Sequence, residues 1–79
     1  MKTEMIIADQ LCQVEIGADV VKISGRHGKK CAVCDAAGVA EAADELFSNY
    51  RLSHVEWRHV QEQRWQDSWD TFEIELVKR

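Results

Sequence analysis

A chain of 79 residues makes one domain spanning residues 1–79. A chain this short buries only about 60–65% of its unfolded surface, which excludes a deep water-free cleft, a large cofactor and multi-step chemistry. The 46% hydrophobic and 30% charged fractions exclude a disordered tail, and the net charge of −4 is opposite in sign to that of a general nucleic-acid binder.

No uncharged stretch approaches the ~20 apolar residues of a membrane span. Met1-Lys2 is followed by Glu4 and Asp9, so no apolar signal segment is expected, and the expected address is cytoplasmic. Three cysteines do not make an even disulfide framework, and free thiols in a reducing compartment are the simpler reading. Without disulfides, so small a core would gain from dimerisation or from tight binding to a partner.

Residues 11–16 (LCQVEI) put Cys12, Val14 and Ile16 on one face and Gln13 and Glu15 on the other, the period of a half-buried strand. Met5-Ile6-Ile7 either extends this strand or pairs at an edge. Gly17-Ala18-Asp19 supplies turn chemistry. Residues 20–24 form a second strand, with Val21 and Ile23 inward and Lys22 outward. Gly25-Arg26-His27-Gly28 suits a hairpin connection, and residues 29–34 are predicted as a third strand with Cys31 and Val33 on one face.

A helix is predicted next, capped by Asp35. Val39, Ala42, Ala43, Leu46, Phe47 and Tyr50 recur at three- and four-residue steps, while Glu41, Asp44 and Glu45 fall off that stripe and face water. Gly38 weakens the helix and suggests close packing on the sheet. Ser48-Asn49 begins the exit.

The final third reads as a long hairpin, with strands near 54–64 and 70–78 and a turn at Gln66-Asp67-Ser68. Val55 and Trp57 share one parity, and Phe72, Ile74 and Leu76 face inward. The rival reading makes 56–69 a second helix, since Trp65 and Trp69 lie four apart. The expected fold class is α+β, an antiparallel four- to five-stranded sheet with one helix packed on one face, in the order β-β-β-α-β-β.

No catalytic set is evident, so the chain is not expected to be an enzyme. Cys31 and Cys34 make one C-x-x-C where a zinc site usually needs two such pairs, and a redox role needs the motif at a helix N-terminus. Structural cysteines are the default, with metal and redox roles left open; no cofactor is expected. His27, His54 and His59 read as solvated or half-buried, with His54 and His59 on opposite faces of a strand.

Charge is two-sided along the chain. Lys22, Arg26, Lys29 and Lys30 give residues 22–31 a local +4, and Asp35, Glu41, Asp44 and Glu45 give residues 32–50 a local −4. One face suits a basic groove and the other a phosphate backbone or an acidic partner. Of Trp57, Trp65 and Trp69, one or two are expected to fill the core, and an exposed Trp65 or Trp69 would suit the centre of an interface.

The whole chain, with its acidic Ala-rich helix segment DAAGVAEAADELFSNY, resembles the small anti-CRISPR proteins of phages and mobile elements. That resemblance implies a non-enzymatic inhibitor in a bacterial host cell. Its protein partner would be a CRISPR-Cas effector subunit or complex, and it would block target DNA binding or nuclease recruitment. Glu41, Asp44 and Glu45 would face the Lys/Arg-lined channel that normally holds nucleic acid. The basic segment with Arg26, Lys29 and Lys30 departs from a pure DNA mimic. Two alternatives stand beside it: an antitoxin or immunity-type protein that neutralises a toxin, and a small nucleic-acid-binding module using Arg26, Lys29 and Lys30. Membrane binding is not expected, and a homodimer is left open.

Overall fold

The structure, a computed structural model, describes the backbone of residues 1–27, 32–62 and 67–79, and side chains for 1–25, 36–58 and 71–79. Five strands and one helix follow in the order β1 (Lys2–Ile7), β2 (Gln10–Ile16), β3 (Val20–His27), α1 (Ala32–Leu46), β4 (Tyr50–Glu62) and β5 (Asp67–Lys78). The strands form one antiparallel sheet in the order β1-β2-β3-β5-β4. This is the expected α+β class.

The first three strands are a meander. β1 and β2 are joined by Ala8 and Asp9, with Ile7 paired to Gln10. Both turn residues have positive φ, 52° and 62°, the handedness that a two-residue hairpin demands. The β2–β3 turn closes with Gly17 N–H donating to the Val20 carbonyl at 2.8 Å. β3 and β4 each pair antiparallel to β5, so they run parallel to one another. The chain crosses between them through α1, and β5 returns into the gap. That return makes β4 an edge strand.

Alternation decides which side of the sheet is buried. Ile7, Cys12, Val14, Val21, Ile23, Phe72, Ile74 and Leu76 point to the side covered by α1 and are buried. Each such aliphatic or aromatic side chain gains about 1.5–3 kcal/mol from leaving water. The helix contributes Ala36, Val39, Ala40 and Ala43, spaced i, i+3, i+4, i+7. Small side chains on this stripe let α1 lie close to the β-branched sheet face.

Several expectations are corrected. Of the strand expected at 29–34, the described residues Ala32, Val33 and Cys34 belong instead to α1, and 29–31 lie outside the described residues. Of the hairpin connection expected at 25–28, Gly25, Arg26 and His27 are instead ladder residues of β3, paired with Phe72, Thr71 and Asp70, and Gly28 lies outside the described residues. Asp35 lies within α1 and is not its cap. Adding the first turn rotates the buried stripe toward Ala36 and Ala40. Leu46, at the last turn, is exposed, and Ala42, Phe47 and Tyr50 are only half-buried. Gly38 faces solvent, and a Cβ there would meet nothing within 4 Å, so close packing does not explain it. β4 and β5 exclude the helical reading of 56–69 for the described residues of that span.

The ladder between β4 and β5 shifts register between Leu52 and His54. The extra residue, Ser53, reverses the parity of the strand. Leu52 before it and Val55 and Trp57 after it therefore share the helix side of the sheet, opposite Leu76, Ile74 and Phe72.

Candidate interaction surfaces

Among the described residues no polar or charged side chain is buried. No group of three or more His, Cys, Asp or Glu among them is placed to hold a metal, and no described helix is long and apolar enough to cross a membrane. Three surfaces carry the chemistry instead.

The first is the outward side of α1. Glu41, Asp44 and Glu45 are exposed there together, as their spacing off the apolar stripe predicts. The last turn holds no basic residue. Asp44 and Glu45 thus stand near the helix end where unpaired carbonyls gather negative partial charge. One cation approaches: Arg79 Nη2 lies 4.0 Å from Asp44 Oδ1, while its Nε donates to the Tyr50 carbonyl at 3.0 Å.

The second is the sheet face that α1 leaves bare. Register places Lys2, Glu15, Lys22, Glu75 and His54 side by side, one from each strand. Charge alternates along this row, and opposite-charge neighbours across strands contribute about 0.2–1 kcal/mol each. The row lines an open trough of about 420 Å³, with Gln13, Ser24 and Glu73 along its side. One row over, Glu56 of β4 sits opposite Glu73 of β5. Arg58 relieves that repulsion. Its Nη2 and Nε donate to Glu56 Oε1 at 3.0 and 3.3 Å, and His54 Nε2 is 3.6 Å from Oε2. Arg58's hydrogen bonds and charge hold the Glu56 carboxyl below the usual carboxylate range, with His54 adding to the effect.

The third is the β4 edge on the helix side. Leu52, Val55 and Trp57 remain 39%, 37% and 49% exposed there. The expectation that one or two tryptophans fill the core is not met by Trp57; among the described residues Phe72 is the largest fully buried side chain.

The other sequence-selected residues are brought to none of these surfaces by a described side chain. Arg26 stands in β3 opposite Thr71, and Trp69 in β5 opposite Val60, with their side chains outside the described set. Lys29, Lys30, Cys31 and Trp65 lie outside the described residues altogether. Cys34 falls in the first turn of α1 and not on a strand. The β4 edge was missed by sequence reasoning, because being outermost is a property of strand order. Compared with protein-family models, curated proteins and solved structures, the chain matches none.

Proposed function

We propose that this chain is a non-enzymatic protein-binding domain that covers a basic surface of another macromolecule with the outward side of α1. One observation carries the reading: Asp44 and Glu45 sit in the last helical turn with no basic residue beside them in that turn. Acids at that end cost about 0.3–1 kcal/mol each, whereas lysine or arginine would contribute a similar amount. A helix shaped only for stability would carry the opposite charge there. Residues that break a local rule without a packing gain point to a surface kept for recognition.

An anti-CRISPR type of inhibitor is the specific form of this proposal. The Lys/Arg-lined channel of a Cas effector complex is a basic surface of the required kind. An acidic helix presented to it would be steered in by long-range attraction and would occupy the space of the nucleic acid.

The test uses Asp44→Lys with Glu45→Lys. The doubly reversed protein is expected to stay folded, since the gain of both changes from the helix dipole is offset in part by replacing the Asp44–Arg79 contact with a like-charge pair. Its association with a captured effector complex at low salt is expected to slow at least about tenfold, with loss of phage protection in a plaque assay. Protection from a co-expressed toxin, without any effect on CRISPR effectors, would move the same surface to the immunity-type form. If the parent binds no effector and rescues no toxin, or the reversed protein binds as fast as the parent, the proposal fails.

A further inference from the structure

We propose that the β4 edge pairs antiparallel with the same edge of a second copy of this chain, about a two-fold axis passing through Trp57. Among the described residues β4 is hydrogen-bonded along one side only, to β5. It is the longest strand, at 13 residues, and contains no proline. Natural sheets usually blunt such an edge, because its free N–H and C=O groups invite another strand. Here the bulge at Ser53 interrupts only the start of β4, and from His54 to Glu62 the ladder is regular.

Charge selects the partner and the register. In an antiparallel self-pair the two positions facing one another add to a constant, so each possible axis makes a definite set of neighbours. With the axis at Trp57, Glu56 faces Arg58 of the partner subunit, and the same pair recurs across the two-fold. The pairs join the Glu56–Arg58 contact already present within each chain at 3.0 Å, making a four-charge cluster. An axis at residue 56 would set Glu56 against its own copy and His54 against Arg58. An axis at residue 58 would set Arg58 against Arg58. An axis at residue 55 would bring the bulged Ser53 into the ladder. An axis at Val60 would also set Arg58 against Glu62, but within β4 it spans only residues 58–62 and leaves Val55 and Trp57 unpaired; the Trp57 axis joins opposite charges over residues 54–60 of the regular strand.

The opposite face of the same edge agrees with this. Val55 and Trp57 stand exposed on the helix side, and the axis sets the two Trp57 side chains against one another. Ten strands would then form one continuous sheet, with main-chain hydrogen bonds supplying affinity and the charge pairs fixing the register. The acidic side of α1 plays no part, so this inference and the proposed function stand or fall separately.

Sedimentation of the full chain tests it. The parent is expected to run as a concentration-dependent dimer. Glu56→Arg and Arg58→Glu each create like-charge pairs across the axis, and each is expected to weaken the dimer at least about a hundredfold. Arg58 is exposed and Glu56 half-buried on the bare sheet face, and circular dichroism confirms that each variant is folded. Mixing the two variants sets an edge with two cations at positions 56 and 58 against an edge with two carboxylates there, and is expected to restore a dimer. The chain carrying both exchanges keeps complementarity and is expected to dimerise by itself. A parent that stays monomeric at millimolar concentration overturns the proposal. So does a single reversal that remains dimeric, or a mixture that forms no heterodimer.

Discussion

The Phe72 ring lies over Gly25, its register partner on the neighbouring strand. A Cβ built on Gly25 would fall into that ring, 2.7 Å from Cε1. The aromatic side chain thus fills the place that a side chain at residue 25 would take, and it compensates for the weakness of glycine within a strand. Phe72 is buried at 1% exposure, in one core cluster with Ile23, Ile74 and the α1 alanines.

Gly25→Ala should therefore destabilise the fold, although alanine normally favours a strand over glycine. Overpacking in a dense core costs about 1–3 kcal/mol. Chemical denaturation is the measurement. Phe72→Leu alone should also destabilise, but in its background the Gly25→Ala penalty should shrink, giving a coupling energy of about 1 kcal/mol or more. Simple additivity of the two changes would show that the ring does not occupy the glycine's space.

The β1–β2 turn stores strain that can be removed. Ala8 and Asp9 hold φ of 52° and 62°, and alanine in that region costs roughly 1–2 kcal/mol. The turn joins Ile7, which is buried, to Gln10, so the register of both strands depends on it. Ala8→Asn with Asp9→Gly installs the pair that such turns prefer. The variant should gain about 1 kcal/mol in denaturant unfolding, with unchanged sheet content by circular dichroism. Ala8→Val, β-branched and least tolerant of positive φ, should lose stability by a similar amount. An Ala8→Val protein as stable as the parent would show that the turn relaxes without strain.

This turn also shows where sequence reading stops. Strands β2, β3 and β5 are legible because Cys12 and Val14, Val21 and Ile23, and Phe72, Ile74 and Leu76 alternate cleanly with polar residues. The Ala8-Asp9 turn has neither glycine nor asparagine to announce it, so Met5-Ile6-Ile7 could not be assigned to a separate strand. The alternation of Cys31 and Val33 suggests a short strand, whereas Val33 lies in α1. Of the surfaces, the acidic side of α1 is legible, since Glu41, Asp44 and Glu45 fall off the apolar stripe. The β4 edge is not. It depends on β5 returning between β3 and β4, and on a bulge at Ser53 that turns Leu52 and Trp57 to one face.

Cys12 gives the fold a dependence on alkaline pH. Its side chain is fully buried, and its Sγ–H donates to the Gln10 carbonyl at 3.4 Å. Burial pushes the thiol above its ordinary pKa, and a backbone hydrogen bond at Ile7 opposes this with smaller effect. Below the ordinary thiol pKa, near about 8.5, both states hold the proton and no difference arises. Above it the unfolded chain releases the proton while the folded chain keeps it. The unfolded state then binds fewer protons, and stability falls as pH rises. Cys12→Ala removes this slope but leaves a small void, so the variant should be less stable than the parent at neutral pH. Its deficit should narrow steadily above about pH 9. Parallel titration of the two proteins in urea reads the difference directly, and a deficit that stays constant from neutral to alkaline pH would mean that Cys12 ionises as readily folded as unfolded.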